Sequence, residues 1–234
     1  MKTVLNWSSG KDAAMAYFLL QQNTQYEVVQ LLTTINKEND RIVMHGVRES
    51  LLEMQATRMN LPLEKIYLPS SPANEIYQMK MESALTKLKT QDIKAAVFGD
   101  LFLEDLKAYR ESQLAKIGME AIFPLWKMNT TELVRKLEAT GIEAIIVCVN
   151  EKCLGKEFLG RKVDLDLLDD LPANVDPCGE NGEYHSFVYN APFFSDPIRI
   201  HKGEIVYKKY PAAKESDGTS GFYFLDLIAG NTSS

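Results

Sequence analysis

Short apolar runs alternate with amphipathic stretches through the first half of the chain. VLNW (Val4 to Trp7), EVVQLLTTI (Glu27 to Ile35), KIYLP (Lys65 to Pro69), AAVFGD (Ala95 to Asp100) and AIFPL (Ala121 to Leu125) are β-branched or aromatic runs that predict strands. Between them, Asp12 to Gln22, Val47 to Asn60, Asn74 to Leu88 and Glu104 to Ile117 predict helices. This alternation predicts an α/β fold with a five-stranded, parallel, doubly wound sheet. LLTTI and AAVF are almost continuously apolar, as expected of strands covered on both faces. Ligands of such sheets gather at the carboxyl ends of the strands, near the point where strand order reverses. Three polar clusters fall there: Ser8 to Asp12, Thr33 with Thr34, and Gly99 with Asp100.

Beyond Leu125 the pattern changes. TTELVRKLEATG and IEAIIVCVN predict one more helix and strand, followed by a Gly- and Asp-rich region and then strand pairs in RIHKGEIVYKK and GFYFLDLIA. Lys202-Gly203 reads as a hairpin turn between strands. The expected division is 1–126 for the sheet domain and 127–234 for a smaller α+β domain with a frayed GNTSS terminus.

Composition narrows the classes. With 234 residues and 45% hydrophobic content the chain can bury a substantial core. No apolar run approaches the ~20 residues that span a bilayer, and MKTVLNW lacks a signal peptide's apolar segment, so no membrane role and a cytoplasmic location are expected. Cys148, Cys153 and Cys178 are too few and too unevenly spaced for a disulfide framework, which fits a reducing compartment. A net charge of -6 argues against nucleic acid as a partner. Lys202, Lys208 and Lys209 read as a solvated basic face.

The chemistry starts at SSGKD. It is not a P-loop, because Leu5 stands where that motif's first glycine belongs and Asp12 where its hydroxyl belongs. The dinucleotide fingerprint is absent too, since Gly10 is the only nearby glycine. What remains is strand, Ser8, Ser9, Gly10, Lys11, Asp12, helix. That places N–H groups, hydroxyls and an ammonium at a helix N-terminus, where the macrodipole favours an anion such as pyrophosphate. Asp12 would repel a bare phosphate, which points to a bound Mg2+ or a contact with Lys11. The residues support equally a plain polar turn in which Ser8 or Ser9 caps the helix.

SSGKDA resembles the SGGKDS loop of the N-type ATP pyrophosphatases, which cleave ATP between its α and β phosphates. The match is closer to the diphthine-ammonia ligase family and its bacterial relatives, which MHGVR (Met44 to Arg48), GDLFLEDLKAYRE (Gly99 to Glu111), FPLW (Phe123 to Trp126) and DPCGENGEYHSFVYNAPFF (Asp176 to Phe194) resemble over roughly residues 1 to 195. The resemblance implies ATP with its phosphates on Ser8, Ser9, Gly10, Lys11 and Asp12. Two positions depart from the family loop. Ser9 replaces a glycine, so that backbone must tolerate a Cβ, and Ala13 replaces a serine hydroxyl.

ENGEYHS is the second informative stretch. On a strand Glu183 and His185 share a face, and Glu180 approaches across the Asn181-Gly182 turn. Such a cluster binds an amine, shuttles a proton or holds a metal; a tight Asn-Gly turn with solvated carboxylates is the plainer alternative. Zinc on Cys178, Glu180, Glu183 and His185 matches no common spacing. The resemblance makes this the acceptor pocket, formed by Glu180, Asn181, Gly182, Glu183, His185 and Arg110. Family members tied to diphthamide resemble EGGEYE here, whereas this chain has Asn181 and His185. His185 substitutes a group titrating near about pH 6.5 for an acceptor-only carboxylate. The acceptor is thereby opened to other carboxylates, including a corrinoid-related one.

Single residues complete the expectation. Asp100, at a strand's carboxyl end, is the first choice to hold Mg2+ or activate the nucleophile, with a turn cap as its alternative. His45 contacts the nucleotide or serves its loop; Arg110 reaches a phosphate or pairs on the surface. The catalytic set is then Lys11, Asp12 and Asp100, with Mg2+ on Asp12 and Asp100, and the nucleotide further contacted by Thr33, Thr34, His45 and Gly99. Trp7 and Trp126 read as packing residues, and His201 as chemically idle.

The implied activity is an ATP-dependent amide ligase: ATP adenylates a carboxylate, pyrophosphate leaves, and ammonia displaces AMP. No glutaminase fits beside this fold, so ammonia arrives free or from a partner. A homodimer is the assembly to test. The rival is a nucleotide-binding regulator that holds ATP or AMP without turnover.

Overall fold

The computed structural model describes residues 1–43, 45–70, 73–211 and 219–230. Its first sheet holds the five expected parallel strands, β1 (Lys2–Asn6), β2 (Glu27–Asn36), β4 (Leu63–Leu68), β5 (Ala95–Val97) and β6 (Glu120–Ile122). β1 lies between β2 and β5, β4 pairs with the other edge of β2, and β6 closes the far side. A two-residue strand, β3 (Arg41–Ile42), pairs antiparallel with Ile35 and Asn36 where β2 runs past the end of β1. Strand order therefore reverses at β1 and β5, and the loops after those strands diverge to open a crevice.

Four helices connect these strands: α1 (Lys11–Gln21), α2 (Glu49–Met59), α3 (Asn74–Lys89) and α4 (Glu104–Lys116). Leu32, Ile66, Leu85, Leu88, Ala96, Phe98 and Leu114 build the core beneath α3 and α4. Leu5, Trp7, Met15, Leu31, Leu51 and Leu52 cover the opposite face with α1 and α2. Both faces are thus buried, as the near-continuous apolar runs required.

The remainder forms α5 (Thr130–Ala139), a 3₁₀ turn (Lys156–Phe158), α6 (Leu165–Asp170) and an antiparallel sheet ordered β8 (Tyr184–Asn190), β7 (Glu143–Asn150), β10 (Thr219–Ala229), β9 (Ile200–Pro211). α5 starts where Asn129 Oδ1 accepts from Glu132 N at 3.0 Å, an N-cap. Ile146, Val147, Val149, Phe187 and Val188 pack in the same cluster as α1 and α2, so one core runs from the first sheet into the second.

Lys202-Gly203 is not a turn. β9 continues through it to Pro211 and pairs antiparallel with β10. Gly203 sits at a register irregularity opposite Leu225 and Leu227, where a Cβ would lie 3.2 Å from Asp226 O; the glycine permits close strand approach. Asn231 to Ser234, the expected frayed end, and Met44 of MHGVR lie outside the described residues. Among the described residues no helix is long and apolar enough to cross a membrane.

Candidate active site

The loops after β1 and β5 and the start of β8 enclose a cleft of about 480 Å³. Its lining brings together most of the residues singled out in the sequence: Ser8, Lys11, Asp12, Thr33, Thr34, His45, Gly99, Asp100, Arg110, Glu180, Gly182 and His185. Tyr77, Phe98 and Tyr184 add aromatic wall.

Helix α1 begins at Lys11 with Gly10 as its N-cap and no side-chain cap from either serine. The plain helix-cap reading of Ser8 and Ser9 therefore fails. Ala14 N, bonded to Gly10 O at 3.2 Å, makes the first intrahelical bond. The N–H groups of Lys11, Asp12 and Ala13 have no carbonyl partner within the helix. Ser186 Oγ, on β8, accepts from Lys11 N at 3.2 Å, so the second sheet supplies the cap.

Lys11 is 4% exposed. Its Nζ donates to both Asp12 oxygens, at 3.0 and 2.8 Å, and to Cys178 O, and stands 5.2 Å from the Tyr184 ring centre. Burial, the largest single influence, favours the neutral amine, but the Asp12 carboxylate together with Tyr184 and Cys178 outweighs it and the ammonium is held well above its usual range. Of the two contacts expected of Asp12, the one to Lys11 is made.

Asp100 ends the β5 side, with Arg110 Nη2 donating to its Oδ1 at 3.2 Å. Oδ2 lies 3.1 Å from Arg110 Nε, yet the two are not aligned as a hydrogen bond and both stay unsatisfied. The guanidinium stacks on Phe98, 4.1 Å from its ring centre. Burial, then repulsion from Asp12, raises the Asp100 pKa against the pull of Arg110. Arg110 therefore does not form a solvent-side pair with Glu111, which accepts from Lys107 instead.

Gly99 is required sterically. A Cβ there would lie 2.9 Å from Asp12 C and 3.0 Å from Ala13 N, contacts with rigid backbone. Gly99→Ala should push the β5 loop off the first turn of α1, lowering stability by about 1–3 kcal/mol. Thermal melting checks this; an unchanged midpoint would contradict the packing described.

The ENGEYHS residues separate. Gly182, at φ +83°, makes the Asn181-Gly182 turn. Glu180 Oε2 crosses to accept from Leu101 N at 3.2 Å, facing the cleft. Burial and the negative charge of Asp12 push its pKa up to about 8. Glu183, by contrast, is 3% exposed and accepts from Asp176 N, Asn181 N and Asn181 Nδ2. This is a correction: Glu183 and Asn181 brace their own loop, because three donors already hold the carboxylate, and neither lines the cleft.

His185 also differs from expectation. It packs against His45 with ring centres 4.6 Å apart and planes tilted by 32°, and burial, His45 and Lys11 hold its pKa well below 6.5. His45 is lowered by burial to about 4. Both imidazoles are neutral at physiological pH, so this pair offers hydrogen bonds rather than charge. The zinc set does not assemble: Cys178 Sγ turns to Thr130 O, and among the described residues no three His, Cys, Asp or Glu converge for a metal.

Sequence reasoning missed Ser186, Tyr184 and Gln55. Ser186 and Tyr184 were within the quoted motif, but a hydroxyl capping a distant helix leaves no local signal. Gln55 did leave one: it interrupts the buried stripe of α2 formed by Leu51, Leu52, Ala56 and Met59.

Residues 1–121 match the family described as Diphthamide synthase N-terminal domain, and residues 129–217 match Diphthamide synthase C-terminal domain. Among curated relatives, the Diphthine--ammonia ligase of Mus musculus is 25% identical over 223 residues, 85% of this chain and 82% of the relative. That of Homo sapiens is 25% identical over 224 residues, with the same coverage. That of Schizosaccharomyces pombe is 24% identical over 184 residues, covering 72% of this chain but 30% of the longer yeast protein. Two adjoining domain matches in chain order, over a cleft built from both, lead to one conclusion: the chain belongs to the diphthamide synthase family.

Proposed function

We propose that the protein is an ATP-dependent amide ligase that adenylates a substrate carboxylate, releases pyrophosphate and transfers the acyl group to ammonia. The observation that carries this is the buried, charged Lys11 at the N-terminus of α1, opening into the cleft where strand order reverses. The names of the relatives favour a ligase over a regulator that only holds nucleotide.

In this reading residues 1–126 hold the nucleotide and residues 127–234 face the acceptor. The triphosphate lies against Lys11 and the N–H groups of Asp12 and Ala13, while Thr33, Thr34 and His45 line the nucleoside side. Lys11 then stabilises the charge that gathers on departing pyrophosphate. Glu180, whose pKa near 8 makes it a carboxylate in mildly alkaline solution, takes the proton released as ammonium becomes the nucleophile. His185 and Arg110 orient the acceptor.

Asp12 and Asp100 offer hard oxygen donors of the kind Mg2+ prefers, and that ion is commonly held by one or two carboxylates together with substrate phosphates. Bound there it would neutralise phosphate charge. A cytoplasmic location and a homodimer complete the proposal.

The test is product analysis. With ATP, ammonium and the cognate carboxylate, AMP and pyrophosphate should appear in equal amounts with the amide. ATP bound tightly but never turned over, against a wide carboxylate panel, would favour the regulator.

A further inference from the structure

The side chain of Gln55 is fully buried in the middle of α2, beneath the loop after β1. Its Oε1 accepts from Trp7 Nε1 at 2.8 Å, and its Nε2 donates to Ser9 O at 3.1 Å and to Val188 O at 2.6 Å. Trp7 is only a donor and the two carbonyls are only acceptors, so the amide has one possible orientation. Every hydrogen-bonding function of Gln55 facing these partners is engaged, at a site far from water.

What the amide holds is unusual backbone. Ser9 has φ +71°, the left-handed region that is unfavourable for a residue with a Cβ. Ser9 is also fully buried with its Oγ unsatisfied, so its own side chain gives no reason for that conformation. The reason lies in its carbonyl, which receives Gln55 Nε2 and, at 2.9 Å, the N–H of Val188 on β8.

A trans peptide sets its N–H opposite its carbonyl. With Ser9 O drawn toward Gln55 and β8, the Gly10 N–H turns the other way, toward Ser8, whose Oγ it approaches at 3.4 Å and which lines the cleft. We propose that Gln55 is a positioning residue for the nucleotide: its amide fixes the Ser9–Gly10 peptide so that the loop's N–H groups face the triphosphate. Gln55 touches no reacting group. It acts through Ser9 and, because the same nitrogen bonds Val188, registers the loop against the second sheet. This inference rests on the reading of the cleft as a nucleotide site.

The test is the affinity of the full chain for α,β-methylene-ATP with Mg2+, by calorimetry, beside thermal melting. Gln55→Leu should weaken binding at least tenfold and lower the melting temperature. Gln55→Asn, which withdraws the same amide by one methylene, should do so too, and serves if the leucine variant does not fold. Adding Ser9→Gly should restore most of the affinity, since glycine holds φ near +71° without strain. The melting temperature should stay low, because Trp7 Nε1 and Val188 O remain unpaired. Folded Gln55 variants that bind as the unsubstituted chain does would overturn the proposal. So would a loss that Ser9→Gly leaves untouched, since Gln55 would then act through general stability. If the unsubstituted chain does not bind the analogue, the nucleotide reading itself falls, and this proposal with it.

Discussion

Lys11→Ala should reduce AMP and pyrophosphate formation by roughly 100- to 1,000-fold, the range seen when one preorganised electrostatic group is removed from a charge-stabilising site. Among the described residues the ammonium is the one cation at the α1 end of the cleft, and its contacts with Asp12 and Cys178 O fix it before any phosphate arrives. Alanine is a good helix former, so α1 should persist and the loss should be chemical. The variant leaves Asp12 without its partner, which adds repulsion toward the triphosphate and should weaken α,β-methylene-ATP binding as well. Lys11→Arg should not rescue turnover: a site 4% exposed and shaped by one carbonyl and one carboxylate has no room for a planar guanidinium. Rates within tenfold of the unsubstituted chain, with folding verified by circular dichroism, would remove Lys11 from the mechanism.

The α/β half was legible because its signal is local and repeated. Each of the five parallel strands lies within a few residues of an apolar run, and each connecting helix within a few residues of an amphipathic one. The convergence of Ser8 to Asp12, Thr33, Thr34, Gly99 and Asp100 followed from one rule about strand ends. The losses have physical causes. Lys202-Gly203 carries turn chemistry, but a glycine in a strand also serves close approach, and only the register with β10 decides between the two. Glu183 and Glu180 look equivalent in ENGEYHS, yet one carboxylate meets three donors of its own loop and the other spans to Leu101. The neutral state of His185 is set by burial and, after it, by His45, 140 residues earlier in the sequence, through a ring contact that no local pattern encodes. Ser9 shows the reverse: its departure from the family loop foretold a Cβ on backbone suited to glycine, and its φ of +71° bears this out.

Glu180 should make the ligand-free protein lose stability as pH rises. Burial and the nearby Asp12 carboxylate lift its folded pKa to about 8 from the ordinary 4.5, opposed by Lys11 and by the bond from Leu101 N. Between those values the folded state binds more protons than the unfolded chain, so stability is fully present below pH 4.5 and falls as pH rises through about 8. Asp100, raised for the same reasons, adds to the slope with the same sign. Lys11 does not oppose it, because a folded pKa well above 10.5 loses its contribution only in more alkaline solution. Glu180→Gln keeps an oxygen for Leu101 N and removes the charge. Near pH 9 it should be more stable than the unsubstituted chain by about 2 kcal/mol, discounted for its interaction with neighbouring charges. For a chain of this size that is about 4–8 °C in melting temperature, while below pH 4.5 the two proteins should melt together. The variant should also lose the alkaline dependence of amide formation if Glu180 accepts the proton from ammonium. Parallel melting curves for the two chains from pH 4 to 9 would show that Glu180 is not the strained carboxylate of this cleft, and the proton-acceptor role would go with it.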